Sequence, residues 1–177
     1  MIHDKIISKN IRIRIPDSFF VGKGSIIDDY CYFSTKVTIG KYSHIANNVS
    51  VGGGPEFEFR LGDYSSISSG VRIWCVSDDF TEDIAALLPV HILNKRNIEG
   101  DVIIEKLTIV GSNSVIMPNN VLPIGVAIGA LSLVPTNYKF VPWTLYGGIP
   151  IKPLKKRNKT KIMKNYKTLN MTFNERN

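Results

Sequence analysis

Residues 102–134 read VIIEKLTIVGSNSVIMPNNVLPIGVAIGALSLV, and the spacing within them decides the fold. Ile104, Val110, Ile116, Leu122, Ile128 and Val134 follow one another at steps of six, and every one is aliphatic. A helix repeats at about 3.6 residues and a strand at about 2, so neither alone produces a strict six. Working outward, the same beat runs through Val21, Ile27, Phe33, Ile39, Ile45 and Val51, and again through Leu61, Ile67 and Ile73. Two residues before a beat the side chain is compact, as at Ser25, Cys31, Val37, Ser43, Val49, Ser65, Val71, Val102, Thr108, Ser114, Val126 and Ser132. Glycine often follows the beat, at Gly22, Gly40, Gly52, Gly62, Gly111 and Gly129.

A repeat this short makes each unit one side of a coiled solenoid, stacked on its neighbours. The pattern predicts an all-β chain wound as a left-handed parallel β-helix of about five coils, with three hexads to the coil. Beat residues point into the prism and the compact residues share the narrow interior. The glycine after the beat suits a corner with positive φ or a close backbone approach. A β-sandwich would need fifteen phased apolar beats to arise by accident.

The beat breaks twice. From Val51 to Leu61 the step is ten, which places four extra residues around Gly53-Gly54-Pro55-Glu56. From Ile73 to Ile104 the step is 31, so an excursion over 74–101 must leave the prism. Long excursions from a rigid scaffold carry function more often than the scaffold itself. After Val134 the Pro- and Gly-containing run FVPWTLYGGIPIKPLKKR forbids further coiling. The expected division is a β-helix domain at 1–157 and a basic tail at 158–177, either a short helix or without regular structure.

At 177 residues the chain suits one domain, and no run of eighteen apolar residues suggests a membrane span. The opening MIHDKIISKN lacks the apolar stretch of a signal peptide, and two cysteines make no disulfide framework, so the expected location is the cytoplasm. Net charge is +7, but residues 152–177 hold nine Lys/Arg against Glu175, so the remaining 13 basic and 14 acidic residues nearly balance. With no basic stripe on the body, the tail reads as a solvated end or a local seat for a phosphate-bearing ligand rather than a nucleic-acid surface.

Several segments together resemble the hexapeptide-repeat acyltransferases, in particular sugar O- and N-acetyltransferases related to the galactoside and maltose enzymes. They are Ser43-His44-Ile45-Ala46, Ser68-Ser69-Gly70, Val76-Ser77-Asp78-Asp79-Phe80, Val102-Ile103-Ile104-Glu105-Lys106, Ile109 to Ile116, and the ending Pro142 to Pro150. The Ser-Asp-Asp version is similar to enzymes of O-antigen and capsule pathways, which act on nucleotide- or lipid-linked deoxy sugars. The resemblance implies a homotrimer with active sites between subunits and acetyl-CoA as co-substrate; no metal is expected, because His44 and His91 do not fall on a ligand spacing. It implies cofactor contacts from Ser112, Ala130, the corner at Pro135-Thr136, and the cations Lys155, Lys156 and Arg157.

Acyl transfer needs a base for the acceptor's proton, a donor for the oxyanion, and a thioester held close to the acceptor. Galactoside-type relatives carry a histidine where this chain reads Ser77-Asp78-Asp79. His44, one residue before a beat and projecting outward, is one candidate base; Asp78 and Asp79 are the competing candidates. His3 is terminal and His91, flanked by apolar residues, reads as packed. Glu82 and Asp83 read as solvated, and Trp74 and Trp143 as packing groups. Neither cysteine has a recognisable activating setting, so direct transfer in a ternary complex is expected. The expected acceptor is an amino or hydroxyl group of a sugar, nucleotide-linked by preference. A zinc enzyme of the carbonic anhydrase type would need three clustered histidines, and a non-catalytic solenoid would bind no CoA.

Overall fold

The computed structural model describes residues 4–81 and 97–174. His3, Glu82, Asp83, His91 and most of the excursion lie outside them.

The chain winds as a three-sided prism of about six turns. The first face stacks β1 (Ile6–Ile7), β4 (Ile26–Ile27), β6 (His44–Ile45), β8 (Ser66–Ile67), β13 (Ile109–Val110), β16 (Ala127–Ile128) and β18 (Thr144–Gly147). The second stacks β2 (Arg12–Ile13), the start of β5 (Tyr32–Ile39), the start of β7 (Ser50–Leu61), β9 (Arg72–Trp74), β14 (Val115–Ile116) and β17 (Leu133–Val134). The third stacks β3 (Phe19–Val21), the ends of β5 and β7, β12 (Val102–Ile104) and β15 (Asn120–Leu122). All these ladders are parallel.

Register follows the beat. Ile27 pairs with Ile45 and Val110 with Ile128, eighteen residues on in each case. Ile45 pairs with Ile67, twenty-two on, because the four extra residues bulge out where Thr35 meets Gly54. Phe33, Ile45, Val51, Ile67, Ile73, Val110, Ile116, Leu122 and Val134 are fully buried, and each contributes about 1.5–3 kcal/mol of apolar burial. The compact positions tolerate hydroxyls because the interior offers carbonyl partners: Ser25 Oγ donates to Gly40 O at 2.7 Å and Ser114 Oγ to Gly129 O at 2.9 Å. Asn120 fills one such position, donating from Nδ2 to Met117 O and Pro135 O at 2.8 and 2.9 Å.

Of the two roles expected for the glycine after the beat, positive φ or close approach, the corners use the second. Left-handed φ falls on the residue just before the compact position, and mostly on side-chain-bearing residues: Tyr30, Tyr42, Asn48, Tyr64, Leu107, Asn113 and Leu131, with φ between 53° and 62°. Glycine after the beat serves close approach instead. A Cβ on Gly22 would stand 2.6 Å from Gly40 C, and one on Gly111 would stand 2.7 Å from Gly129 C, both unyielding backbone atoms of the next coil.

A further coil precedes the expected five. Ile7 and Ile13 keep the beat beneath Ile27 and Phe33, but the step from Ile13 to Val21 is eight because a 3-10 turn at Pro16–Ser18 interposes. At the other end, β19 (Lys152–Lys156) returns antiparallel to β18 and closes the first face. The tail then forms α1 (Lys159–Asn174), which folds back over the first face. Tyr166 meets Tyr64 edge-on at 5.2 Å between centroids, Tyr64 donates from its hydroxyl to Asn170 Oδ1 at 2.6 Å, and Lys106 Nζ lies 5.6 Å from the Tyr166 centroid. Among the described residues no helix is long and apolar enough to cross a membrane.

Candidate active site

The excursion leaves from the second face at a fixed point. Cys75 is buried and donates its N–H to Gly52 O at 2.7 Å, while its carbonyl accepts from Gly100 N at 2.9 Å. β10 (Val76–Asp78) and β11 (Asn97–Glu99) then pair antiparallel as a neck, with Asp78 opposite Asn97. The neck holds Asp78 at the mouth of the excursion on regular backbone. Asp79 is committed locally: its Oδ1 accepts from Thr81 N at 2.9 Å and from Thr81 Oγ1 at 2.6 Å, the turn-capping use of a loop aspartate. At the corner after β8, Ser69 Oγ donates to Asn47 Oδ1 at 2.6 Å, and Ser68 N donates to Val110 O at 2.9 Å.

His44 stands apart from that neck, on the first face. Its Nε2 lies 2.8 Å from Asp28 Oδ2 one coil away, a contact that fixes the orientation of the ring. Both side chains are nearly half exposed, at 44% and 43%. His44 lines a groove of about 360 Å³ between the first face and α1, walled by Tyr42, Tyr64, Ile109, Ile162 and Tyr166. Sequence spacing could not bring α1 over this histidine, because the contact joins residues more than a hundred positions apart.

The predicted cofactor residues fall into two groups. Ser112 and Ala130 stack on the corner between first and second faces, one coil apart, where Leu131 N donates to Ser112 O at 2.9 Å. Thr136 lies at the next corner and donates its hydroxyl to Pro118 O. Lys155 and Lys156 are exposed on β19 and line a groove of about 450 Å³ with Lys139, Tyr138, Val141, Leu154 and Tyr146. Lys139 is a third cation that sequence reading passed over, because it precedes the basic run by more than ten residues. Arg157 does not join them. Its Nη1 donates to Leu107 O at 2.8 Å, Gly125 O at 2.7 Å and Val126 O at 3.2 Å, and burial pulls its pKa below the usual guanidinium value. It pins the start of the tail to the prism.

Both thiols are unsuited to nucleophilic attack. Burial raises Cys31, and it pushes Cys75 up to about 11, so each stays protonated at neutral pH. Trp74 packs across Gly52, and Trp143 covers Gly125, as their packing reading expects.

No family model matches the chain. A dTDP-4-amino-4,6-dideoxy-D-glucose acyltransferase from Escherichia coli is 32% identical over 88% of this chain and 83% of its own length. The N-acyltransferase AntD from Bacillus cereus, solved in complex with dTDP and 3-hydroxybutyryl-CoA, is 34% identical and superposes with a TM-score of 0.84 over 96% of this chain and 88% of its own. A maltose O-acetyltransferase from Clostridium difficile shares the fold, at 16% identity and a TM-score of 0.58 over 89% of this chain and 72% of its own. Stacked hexads, an acidic neck, a basic last strand and these likenesses point one way: the chain belongs to the hexapeptide-repeat acyltransferases of left-handed β-helix fold, and it is an acyltransferase.

Proposed function

We propose that this enzyme transfers an acyl group from an acyl-CoA to the amino group of a dTDP-linked 4-amino-4,6-dideoxyhexose. The observation that carries the reading is the extended match to AntD, which has been solved with dTDP-4-amino-4,6-dideoxyglucose and coenzyme A. AntD has also been solved as variants of one serine and of one aspartate ten positions further along its chain. Here Ser68 stands ten positions before Asp78, and Ser69 ten before Asp79. We assign the chemistry to Ser68 and Asp78, because Asp78 sits on the regular backbone of the neck at the mouth of the excursion.

In the proposed step the amine lone pair attacks the thioester carbon, the C–N bond forms and the C–S bond breaks. Asp78 holds the amine as it loses its proton, and that proton ends on the departing thiolate, giving an amide and free CoA. Ser68 hydrogen-bonds the reacting centre. The protonated, buried cysteines fit direct transfer. We assign the pantetheine arm to the Ser112–Ala130–Thr136 side of the late coils. The CoA phosphates fall to Lys139, Lys155 and Lys156, where clustered cations border an apolar floor. A homotrimer with clefts between prisms, action in the cytoplasm, and a product destined for surface polysaccharide complete the proposal. The first two are what a soluble CoA- and nucleotide-dependent reaction on a solenoid scaffold would use.

The direct test is CoA release, followed with a thiol reagent, from acetyl-CoA and from 3-hydroxybutyryl-CoA in the presence of dTDP-4-amino-4,6-dideoxyglucose. Amide product is expected by mass spectrometry; the 4-hydroxy sugar nucleotide should give none. An enzyme that acylates the hydroxyl sugar and ignores the amine would replace N-transfer with O-transfer. The cofactor seat makes its own prediction. Lys155→Ala with Lys156→Ala should raise the KM for acyl-CoA about tenfold while leaving the KM for the sugar nucleotide unchanged, since charge-assisted contacts to phosphate are lost.

A further inference from the structure

A separate groove lies on the early coils of the prism. It measures about 370 Å³ and is lined by Arg14, Ile15, Tyr32, Ser34, Gly54 and Pro55. Its place in the fold is set by register. Arg14 N donates to Phe33 O, and the inner ladder runs Ile13, Phe33, Val51, Ile73. The residues one step further along each strand are therefore Arg14, Ser34, Gly52 and Trp74, a single outward column on the edge of the second face. Trp74 is followed by Cys75 and then by the neck that carries Asp78. Groove and neck thus share one edge, with the Trp74 indole lying across Gly52 between them. Adjacent coils stand about 4.8 Å apart, so Arg14 lies about 14 Å from Trp74 along the prism axis. That is the scale of a hexose joined to a diphosphate.

The chemistry of the wall suits an anion. Arg14 is exposed and lines the groove, and its Nη1 makes a long 3.4 Å contact to the Tyr32 hydroxyl. Tyr32 and Ser34 add hydroxyl donors. Gly54 has φ of 78° and open space where a Cβ would be, which bares backbone on the opposite wall. The bordering acids in sequence, Asp17 and Glu56, line none of it. The separation from the other basic seat matters as well. Both substrates of the proposed reaction are polyanions, and a ternary complex requires two cation seats. Lys139, Lys155 and Lys156 occupy the last coil; Arg14 occupies the first, and Asp78 departs from between them.

We propose that the Arg14 groove seats the diphosphate of the nucleotide-linked sugar, with Arg14 as the phosphate-binding and specificity-determining side chain. This rests on the sugar-nucleotide reading above. A planar guanidinium takes two phosphate oxygens at once, which a lysine point charge does not match. The test is calorimetric binding of dTDP, together with steady-state kinetics, on wild type, Arg14→Ala, Arg14→Lys and Ser34→Ala. Arg14→Ala should weaken dTDP binding and raise the sugar-nucleotide KM at least about tenfold, with the acyl-CoA KM unchanged. Arg14→Lys should fall between, and Ser34→Ala should show a smaller loss of the same kind. Melting temperatures close to wild type should accompany all three, since neither side chain is in the core. Unchanged dTDP affinity in folded Arg14→Ala overturns the seat. A wild-type protein that binds no dTDP overturns the substrate reading itself, and the two failures are told apart by that first measurement.

Discussion

Asp78→Asn is expected to lower kcat/KM for acyl transfer by about two to four orders of magnitude, the range carried by a positioned proton acceptor. The neck pairing of Asp78 with Asn97 is made by backbone, so the amide side chain leaves β10 and β11 intact and the loss belongs to chemistry rather than folding. Binding of dTDP and of CoA, measured separately, should change little. Asp79→Asn should cost far less in rate, because its carboxylate serves Thr81, and the turn retains an asparagine's capping ability. His44→Ala is the decisive comparison. The His44–Asp28 pair has the geometry of a base and its orienting acid, but it lies on a different face, under α1. If the prism of a neighbouring subunit brings that face to the neck, both variants fall together and their double variant falls no further. If Asp78 acts without it, His44→Ala keeps most of its turnover. Full activity in Asp78→Asn would remove this carboxylate from the mechanism.

The inner ladder was legible because burial inside a narrow prism leaves no choice of side chain. Ile67, Val110, Ile128 and their counterparts must be apolar at every turn, and nothing else in the chain repeats so strictly. The insertions were legible for the same reason, as breaks in a beat. The first coil escaped because the Pro16–Ser18 turn moves Ile7 and Ile13 out of phase with Val21. Left-handed corners escaped at Tyr30, Tyr42, Tyr64, Leu107, Leu131 and Trp143, because such side chains rarely take this backbone; the Tyr42 and Tyr64 rings meet one coil apart at 5.1 Å between centroids. Of the candidate site, position along the chain marks one part and hides the other. Asp78 was marked by its position at the start of an excursion. Arg157 looked like its basic neighbours in sequence, yet only three dimensions show that carbonyls from two coils surround it. Arg14 and Lys139 gave no local signal, since each becomes a wall of a groove only when distant coils are stacked.

Phe33→Ala is expected to be the most damaging core substitution, at about 3–5 kcal/mol. Phe33 is fully buried and meets Phe19 edge-on at 5.0 Å between centroids, between Ile13 in the coil before and Val51 in the coil after. Backbone hydrogen bonds hold the coils at a fixed spacing, so the prism cannot collapse around the space left by the ring. For a chain of this size each kcal/mol corresponds to about 2–4 °C, which places the drop in melting temperature at roughly 6–20 °C. A solenoid is stabilised by neighbour-to-neighbour contacts, so the loss should not spread evenly. Amide exchange should accelerate most at Ile26 to Ile45 and least at Ile116 to Val134. Phe33→Leu, which refills much of the volume, should recover most of the stability. Because Tyr32 and Ser34 flank Phe33 on the same strand, loosening this coil should also weaken dTDP binding before it affects CoA. An alanine variant that unfolds in one transition with exchange rising uniformly along the chain would mean that the prism behaves as a single cooperative block.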